Sequence, residues 1–380
     1  MEDTDFRGCG TRPTTRNRVE LLNDAAQMYA SLIAALHRAR SSILLEYYIF
    51  DDDRVGRTIS DVLIRRARNG VKVCVIYDLL GSWMPAWGML RKLRRAGVEV
   101  RYFRPFELCH PWRSLNVRNH RKVAIIDNRV AYLGGINIAR RYLEGNELGR
   151  WRDEHLRIEG PAVGELQRLF LRDWVCVGGS HFPIATTPPA PKEPSIKRGS
   201  SLRILYSQEG PTRRSIEEEF IQTIRCAKGE LLLATPYYIP PPSLRRALLE
   251  ALARGVRIEL MVPARADLCI AARVAACYYG ELLEHGATIW LYENGFLHTK
   301  MLLADRRFAL LGTANLDYRS LRTNWEVVVC IDDPCLGEKL HKTFRRDKEH
   351  CTFLRYAFWK RRPLRIRLQS RLAQLFRRWL

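Results

Sequence analysis

A motif of one histidine, one lysine and one aspartate occurs twice in this chain and constrains its fold more than any other feature. The first copy reads HRKVAIID from His120, and the second reads HTKMLLAD from His298. A glycine and an asparagine follow each copy at the same distances. The repeat therefore indicates two halves of one duplicated site. The matching residues are His120 and His298, Lys122 and Lys300, Asp127 and Asp305, Gly134 and Gly312, and Asn137 and Asn315.

Each motif predicts a strand, a polar turn and a second strand, because two apolar runs flank a short polar segment. Side chains alternate along a strand, so His120 and Lys122 share one face and Asp127 points to the other. A histidine beside a fixed positive charge suits the binding and chemistry of a phosphate. The whole motif, Asp127 and Asp305 included, is assigned to the catalytic residues. Within it, the spacing gives the chemistry to the histidine and lysine and offers the alternative that the aspartate stabilises the turn or pairs with a neighbouring basic group.

The glycines and asparagines after each motif extend the predicted site. We expect the Gly-Gly and Gly-Thr steps to let the backbone approach a ligand, and Asn137 and Asn315 to donate amide hydrogens to it. Arg118 and Asn119 stand at the entry to the first motif, where they can bind a head-group phosphate. One copy alone is typical of surface residues at a strand end. Two copies favour an active site.

The motifs resemble those of the phospholipase D superfamily, whose members place two of them in one site. Further tracts, among them LEYYIFDDDRVG, WRDEHLRIEGPAV and GTANLDYRSLRTNWE, resemble bacterial cardiolipin synthases from about Asn17 to the C-terminus. Related enzymes supply a carboxylate that orients each catalytic histidine, at the positions of Asp153 and Glu326 here. The alternative for each carboxylate is an exposed position at a strand end.

The formal net charge of +22 predicts an anionic partner, either nucleic acid or an acidic membrane surface. The ten cysteines form no C-x-x-C pair, which favours reduced thiols over disulfides or a zinc site. No run of eighteen apolar residues is present, so we expect no membrane-spanning segment. This pattern resembles the shorter class of cardiolipin synthases, without N-terminal membrane helices.

The predicted fold class is α/β, with two pseudo-twofold-related domains, each a mixed sheet flanked by helices, and one site at their interface. Ser215 and Glu218 predict a capping box at the first helix of the second half. The predicted organisation is a disordered tail over 1–16, a first domain over 17–176, a Pro/Gly-rich linker over 177–200, a second domain over 201–353 and a terminal helical segment over 354–380.

The terminal segment carries leucines on one helical face with arginines between them, after Pro363 as the first-turn residue. This pattern favours a basic amphipathic helix at a membrane interface over a helix packed on the protein's own core. The expected location is peripheral, at the cytoplasmic face of the bacterial inner membrane.

The resemblance implies transfer of a phosphatidyl group between two molecules of phosphatidylglycerol through a phosphatidyl-histidine. The residues leave open which histidine attacks, and we take His120 as the nucleophile. We expect no metal and no cofactor, because lysine and asparagine side chains hold the non-bridging phosphate oxygens. The terminal helix and the full-length resemblance argue against a nucleic-acid partner. The residues leave open a hydrolytic phospholipase D, a nuclease and a non-enzymatic membrane-binding protein. They also leave open the donor and acceptor lipids and the need for a protein partner.

Overall fold

The computed structural model describes residues 11–82, 87–103, 116–180, 199–208 and 212–376 of the 380-residue chain. Residues 1–10 of the predicted tail, 181–198 of the predicted linker and 377–380 of the terminal segment lie outside the described residues. The predicted boundary at residue 16 is wrong, because the first strand already begins at Thr14. The predicted linker is also too long, since the strand that opens the second half begins at Ser200.

The first half alternates helices and strands, and the sequence sets their ends. Asp24 begins the first helix by accepting a hydrogen bond from Gln27 N, and Asp53 begins the second by accepting from Val55 N and Gly56 N. The elements are β1 (Thr14–Leu22), α1 (Ala25–Arg38), β2 (Ser42–Tyr47), α2 (Arg54–Arg68), β3 (Lys72–Asp78), α3 (Trp87–Arg95), β4 (Glu99–Phe103), β5 (Lys122–Ile126), β6 (Val130–Gly134), α4 (Arg140–Glu144), β7 (Trp151–Arg152), β8 (His155–Glu159) and α5 (Ala162–Cys176).

The second half repeats this order, as the duplicated sequence predicts, and then adds a terminal segment. Its elements are β9 (Ser200–Ser207), α6 (Ser215–Cys226), β10 (Glu230–Ala234), β11 (Tyr238–Ile239), α7 (Pro242–Ala253), β12 (Arg257–Pro263), α8 (Cys269–Glu284), β13 (Thr288–Tyr292), β14 (Phe296–Leu297), β15 (Met301–Ala304), β16 (Phe308–Gly312), β17 (Leu316–Asp317), α9 (Tyr318–Arg322), β18 (Glu326–Asp332), α10 (Pro334–Lys348), β19 (Cys351–Phe353), α11 (Tyr356–Lys360) and α12 (Leu364–Ala373).

One predicted cap is wrong. Ser215 is the first residue of α6 rather than its cap, and its hydroxyl donates to Tyr206 O at 2.5 Å instead of bonding within the helix. The preceding residue, Arg214, provides no side-chain cap. The local pattern of a capping box was therefore overridden by a tertiary contact with β9.

A single mixed sheet of fifteen strands runs through both halves, in the order β19-β13-β12-β10-β15-β16-β18-β9-β1-β8-β6-β5-β2-β3-β4. The halves join where β1 pairs antiparallel with β9, with Asn17 opposite Ser200. In each half, three strands are parallel (β2, β3 and β4; β10, β12 and β13), and the motif hairpin adds to them antiparallel. The expected mixed sheet with flanking helices is confirmed.

Apolar layers cover both faces of this sheet. On one face, α1 to α3 enclose a buried layer in the first half, and α6 to α8 enclose the matching layer in the second half. On the other face, α5 and α10 cover one layer that continues across the joint between the halves. Because β9 and β1 are central and share this layer, the two halves hold a fixed relative position at the motif strands.

The terminal segment forms two helices, α11 and α12, which pack against α8. In α12 only Ser370 and Ala373 are buried, and Pro363 precedes the first helical residue as expected. Leu364, Leu368 and Leu372 are between 57 and 79% exposed. The segment therefore rests on the second half by a narrow edge and leaves leucines in solvent. In the part of the chain that the structure describes, no helix combines the length and apolarity needed to cross a bilayer.

Candidate active site

The two motif histidines open on one cavity between the halves. His120 comes two residues before β5, His298 comes three residues before β15, and both line a cavity of about 420 Å³. Main-chain bonds between the halves position them: His120 N donates to Trp325 O at 2.9 Å, and His298 N donates to Arg152 O at 2.7 Å. The expected single site, built from both motifs, is formed.

Each histidine pairs with a carboxylate from the opposite half. His120 Nδ1 lies 2.9 Å from Glu326 Oε1 and 3.0 Å from Glu326 Oε2. His298 Nδ1 lies 2.6 Å from Asp153 Oδ2. The structure thus places both candidate orienting carboxylates, Asp153 and Glu326, against the imidazoles, buried rather than exposed at a strand end. We refer to these two contacts as the crossed pairs.

Different groups hold the two carboxylates. Thr313 Oγ1 donates to Glu326 Oε2 at 2.5 Å, whereas the backbone of Glu154 donates to Asp153 Oδ1 at 2.8 Å. Burial acts to raise the pKa of both carboxyls, but Lys300 and His298 outweigh it for Asp153, and His120 and Lys122 outweigh it for Glu326. The net pKa of each lies below its usual value, so both remain ionised.

Both imidazoles are neutral near pH 7. Burial lowers the pKa of His120 to about 4, although the charge of Glu326 acts in the opposite direction. Burial, followed by the charge of Lys300, lowers the pKa of His298 to about 3. Donation of the Nδ1 hydrogen to the carboxylate leaves the lone pair on Nε2. Such a nitrogen can act as a nucleophile or a base.

The two motif lysines lie behind the histidines. Lys122 Nζ donates to His120 O at 2.5 Å, and Lys300 Nζ bonds His298 O and lies 2.8 Å from His298 Nδ1. Burial lowers the pKa of Lys122 to about 7 and that of Lys300 to about 8. Neither lysine lines the cavity. Each ammonium group nevertheless contacts the histidine of its own motif.

The two predicted asparagines both line the cavity, but they differ in their hydrogen bonds. Asn137 Oδ1 accepts from Ile49 N at 3.0 Å, and its Nδ2 donates to Tyr142 OH at 2.6 Å. The Oδ1 atom of Asn315 is buried and has no hydrogen-bond partner among the described residues. The pair is therefore placed as expected, although Asn137 already uses both of its polar atoms.

Asp127 and Asp305, which the motif groups with the catalytic residues, do not reach the cavity. Each lies at the far end of its strand in a tight turn, with φ of 54° and 50°. Asp127 accepts hydrogen bonds from Arg40 N, Ser41 N and Ser42 N, and Asp305 accepts from the backbone of 228–230. The catalytic assignment is corrected, and the alternative of a turn-stabilising carboxylate is confirmed.

Two further expectations are corrected at the entry to the motif and after it. Asn119 is buried and donates to Glu46 Oε1 at 2.6 Å, so it does not line the cavity, whereas Arg118 does. At Gly134 and Gly135, neighbouring protein atoms, rather than a ligand, leave no room for a side chain. A Cβ on Gly134 would lie 2.5 Å from Glu154 O, and one on Gly135 would lie 2.3 Å from both carboxylate oxygens of Asp153.

Aromatic and basic residues that the motif analysis missed complete the cavity wall. The Tyr48 ring meets His120 edge-on at 5.0 Å, and the Trp151 ring lies 5.1 Å from that of His298. Arg141 and Arg319 join Arg118 in the lining. The sequence did carry a signal for the tyrosines, since Tyr-Tyr-Ile occurs at 47–49 and again at 237–239, just beyond β2 and β10.

Carboxylates, imidazoles and thiols do not assemble into a metal-binding set here. Within the ranges that the structure describes, no group of three or more His, Cys, Asp or Glu side chains is placed to hold an ion. Positive charge near the histidines comes instead from Lys122, Lys300 and three arginines. The arrangement can bind an anion such as a phosphodiester and present two imidazoles to it.

Two H-x-K motifs joined across a duplicated α/β fold define a phospholipase D-type active site. Consistent with this, the family model described as "Cardiolipin synthase, PLD-like domain" matches residues 32–174 and 220–348. The chain belongs to this family of phosphatidyltransferases.

Curated relatives agree with the family model. The chain is 36% identical over 363 residues to the major cardiolipin synthase ClsA of Bacillus subtilis (strain 168), covering 95% of this chain and 75% of the relative. It is 35% identical over 362 residues to a cardiolipin synthase of Geobacillus kaustophilus, covering 94% of this chain and 72% of the relative. A cardiolipin synthase of Listeria monocytogenes is 37% identical over 365 residues, with 95% and 75% covered.

Solved structures share the fold at lower sequence identity. The crystal structure of phosphatidylserine synthase from Haemophilus influenzae superposes with a TM-score of 0.74 at 17% identity and 95% coverage of both chains. Polyphosphate kinase from Porphyromonas gingivalis gives a TM-score of 0.60 at 16% identity, over 94% of this chain and 53% of the kinase. These likenesses support the duplicated fold.

Proposed function

We propose that this enzyme makes cardiolipin from two molecules of phosphatidylglycerol through a phosphatidyl-histidine intermediate and releases glycerol. The observation that carries the proposal is the crossed pairs, because they supply two oriented imidazoles to one cavity. A covalent nucleophile and a separate acid–base group are what a two-step transfer requires. Arg118, Arg141 and Arg319 on the cavity wall suit the anionic head groups of the donor and the acceptor.

In the first step, His120 Nε2 attacks the phosphorus of the donor lipid. A nitrogen–phosphorus bond forms, the bond from phosphorus to the glycerol oxygen breaks, and His298 gives that oxygen a proton. The negative charge of the bound phosphodiester raises the proton affinity of His298, which is otherwise neutral, and so supplies its acid form. Glu326 stabilises the positive charge that develops on His120.

In the second step, His298 is the base. It takes the proton from a glycerol hydroxyl of the second phosphatidylglycerol, whose oxygen attacks phosphorus and displaces His120. Lys122 and Lys300 hold positive charge beneath the phosphoryl oxygens in both steps, and Asn315 offers its amide. We assign the attack to His120 because its side chain is the more exposed to the cavity, at 13% against 9% for His298.

A substrate with an activated leaving group tests this assignment. Phosphatidyl-p-nitrophenol needs no proton on its leaving group, so His298→Ala should release one equivalent of p-nitrophenol in a burst and then stall. His120→Ala should show no burst, and both variants should lose cardiolipin synthesis from phosphatidylglycerol by about 10³-fold or more. The measurement is stopped-flow absorbance, with a thermal melt as the check that each variant is folded.

The outcomes of this test separate the candidate reactions. A burst in His120→Ala and none in His298→Ala would reverse the two roles. Turnover of phosphatidylglycerol to phosphatidic acid without cardiolipin would replace the transferase assignment by a hydrolytic one. Cleavage of DNA that depends on His120 would replace it by a nuclease.

We also propose that the enzyme binds the cytoplasmic face of the bacterial inner membrane through its terminal segment. The exposed Leu364, Leu368 and Leu372 bury apolar surface in the interface, and the arginines between them attract anionic lipid. Changing these three leucines to Gln should release the protein from phosphatidylglycerol vesicles in a sedimentation assay.

Activity on detergent-dispersed lipid provides the control for that variant. It should stay within about twofold of the wild type, because the three leucines are exposed and the buried residues of α12 are Ser370 and Ala373. Equal sedimentation of variant and wild type would remove α12 as the membrane contact.

A further inference from the structure

A second cavity of about 210 Å³ adjoins the active-site cavity, and we call it the alanine groove. It lies along α8, beside the C-terminal ends of β12 and β13, and is bounded outside by the terminal segment through Leu354 and Trp359. Tyr237 and Ala271 line both cavities. The two spaces are therefore neighbours across a shared wall.

The alanine groove differs from the active-site cavity in the chemistry of its lining. None of the described side chains that line it is charged, whereas three arginines line the active-site cavity. On α8, Ala272 and Ala276 are one helical turn apart and therefore share a face. Small side chains keep the groove open. Its alanines are Ala264, Ala266, Ala271, Ala272, Ala275 and Ala276.

The outer wall of the groove belongs to the terminal segment. Trp359 packs on Gly280 of α8, where an added Cβ would lie 2.9 Å from Trp359 Nε1. The Tyr279 ring lies 5.6 Å from that of Trp359. The Arg362 guanidinium lies over the Trp359 ring, 3.1 Å from its centroid. The neighbouring Phe358 is 66% exposed. The groove therefore runs between the exposed apolar surface of this segment and the reacting histidines.

We propose that the alanine groove binds one acyl chain of the phospholipid whose head group occupies the active-site cavity. This inference rests on the proposed function, and it adds the position of the lipid tail. The groove is smaller than the ~300 Å³ of typical whole-ligand pockets, so it fits part of a molecule. Its uncharged lining suits hydrocarbon, and its shared wall with the cavity suits a chain attached to the bound phosphodiester.

Filling the groove tests the proposal through chain-length selectivity. Ala272→Trp places a large side chain at an exposed groove position, and Ala253→Trp makes the same change at an exposed position at the end of α7, outside the groove. The measurement is kcat/KM for cardiolipin synthesis from dioleoyl- and dibutanoyl-phosphatidylglycerol in one detergent. The ratio of the long-chain to the short-chain value should fall about tenfold in Ala272→Trp, equivalent to about 1.4 kcal/mol.

The controls separate this inference from the proposed function. Short-chain synthesis should be unchanged in both variants, and absence of cardiolipin from either lipid in the wild type would instead count against the transfer reaction. Equal ratios in the wild type, Ala272→Trp and Ala253→Trp would overturn the acyl-chain assignment.

A binding readout needs no turnover. In the His120→Ala protein, phosphatidylglycerol with brominated acyl chains should quench tryptophan fluorescence, and adding Trp359→Phe should remove part of that quenching. Quenching that is the same with and without Trp359 would place the chain elsewhere. Ordinary phosphatidylglycerol, which carries no bromine, provides the matched lipid control.

Discussion

The two crossed pairs occupy equivalent places in the duplicated fold but are built differently. In one, a glutamate reaches His120 with both of its oxygens, and the hydroxyl of Thr313 supports it. In the other, the shorter Asp153 bonds His298 with one oxygen, while its second oxygen takes a backbone hydrogen. Gly135 stands where the second half has Thr313, because a Cβ there would collide with Asp153.

This difference shows that the length of the acid and the residue behind it are coupled. A short acid approaches the backbone and requires glycine, and a long acid leaves room for a side chain that can donate to it. The two halves thus reach the same imidazole orientation with two different sets of supports. Each prediction below tests how far that equivalence extends.

The largest expected difference comes from converting each acid to its amide. In Asp153→Asn, the amide oxygen must accept the Glu154 hydrogen, so the NH₂ group faces His298 Nδ1 and imposes the wrong tautomer. In Glu326→Gln, the amide oxygen can still face His120 while its NH₂ group donates to Thr313. We expect kcat to fall about 10³- to 10⁴-fold for Asp153→Asn and about 10- to 100-fold for Glu326→Gln.

Turnover on detergent-dispersed lipid and a melting curve for each amide variant make the test. Equal losses in the two variants would mean that the two oxygens of Glu326 are not interchangeable.

Substitutions behind the acids should give the next largest effects. Gly135→Ala adds a Cβ that would lie 2.3 Å from the Asp153 oxygens, so the carboxylate must move away from His298. Thr313→Val keeps the shape and removes the hydrogen bond to Glu326, worth about 1.5–3 kcal/mol, and the one that Thr313 Oγ1 accepts from Val327 N. We expect a loss in kcat of about 100-fold or more for Gly135→Ala and about tenfold for Thr313→Val. A larger loss for Thr313→Val would contradict the coupling.

The two motif lysines should each affect the pH dependence of activity, at a different pH for each half. Burial lowers the pKa of Lys122 to about 7 and that of Lys300 to about 8, so each loses its positive charge as pH rises through that value. Because His120 and His298 are neutral between pH 5 and 6.5 and the first step requires His298 to gain a proton, kcat/KM for phosphatidylglycerol should already fall with rising pH in this range. It should fall more steeply above pH 7, and more steeply again above pH 8, as the two lysines lose their charge. A profile that is level up to pH 10 would exclude titration of these lysines.

The smallest effect is expected at the far ends of the motif strands and concerns stability. Asp127 accepts three backbone hydrogens and the Ser41 hydroxyl, whereas Asp305 accepts three backbone hydrogens and is more exposed. Asp127→Asn should lower the free energy of unfolding by about 1–3 kcal/mol, Asp305→Asn should lower it less, and turnover of the folded variants should be kept. A normal melting temperature with abolished turnover would mean that these aspartates take part in catalysis.

The same two residues define a pH test of stability. Hydrogen bonds hold the pKa of Asp127 and Asp305 below the usual value, although burial acts in the opposite direction. A carboxyl with a lowered native pKa stabilises the fold above its unfolded pKa, and this stabilisation is lost as pH falls through the native one. The melting temperature of wild type and Asp127→Asn should therefore converge on acidification below about pH 4.

The sequence predicted what depends on local spacing. Alternating helices and strands, the duplicated order and the placement of His120 and Lys122 follow from periodicity and repeat length. Asp127 was separated from the histidine correctly, although the turn position, not only strand alternation, removes it from the cavity. Where a local pattern competed with a tertiary contact, prediction failed, as at Ser215 and at Asn119.

The sequence alone could not show that each histidine pairs with an acid from the opposite half. The candidate acids were identified from the resemblance to related enzymes, but His120 pairs with an acid 206 residues away and His298 with one 145 residues away. The joint between β1 and β9, the pairing of β14 with β7 and the bridge between Asn119 and Trp325 bring these segments together. The contact of α12 with α8 could not be predicted either. Leucine spacing identifies an apolar face on a helix, but it does not identify the surface against which that helix packs.

The crossed pairs restrict how a chain of this kind can be inherited. Each histidine depends on an acid encoded in the other half, and the main-chain bonds at Trp325 and Arg152 tie each motif to its opposite partner. Recombination that exchanges one half for that of a distant relative separates both histidines from the acids with which they were selected. Neither half is therefore a functional unit by itself, because each supplies the acid that orients the histidine of the other.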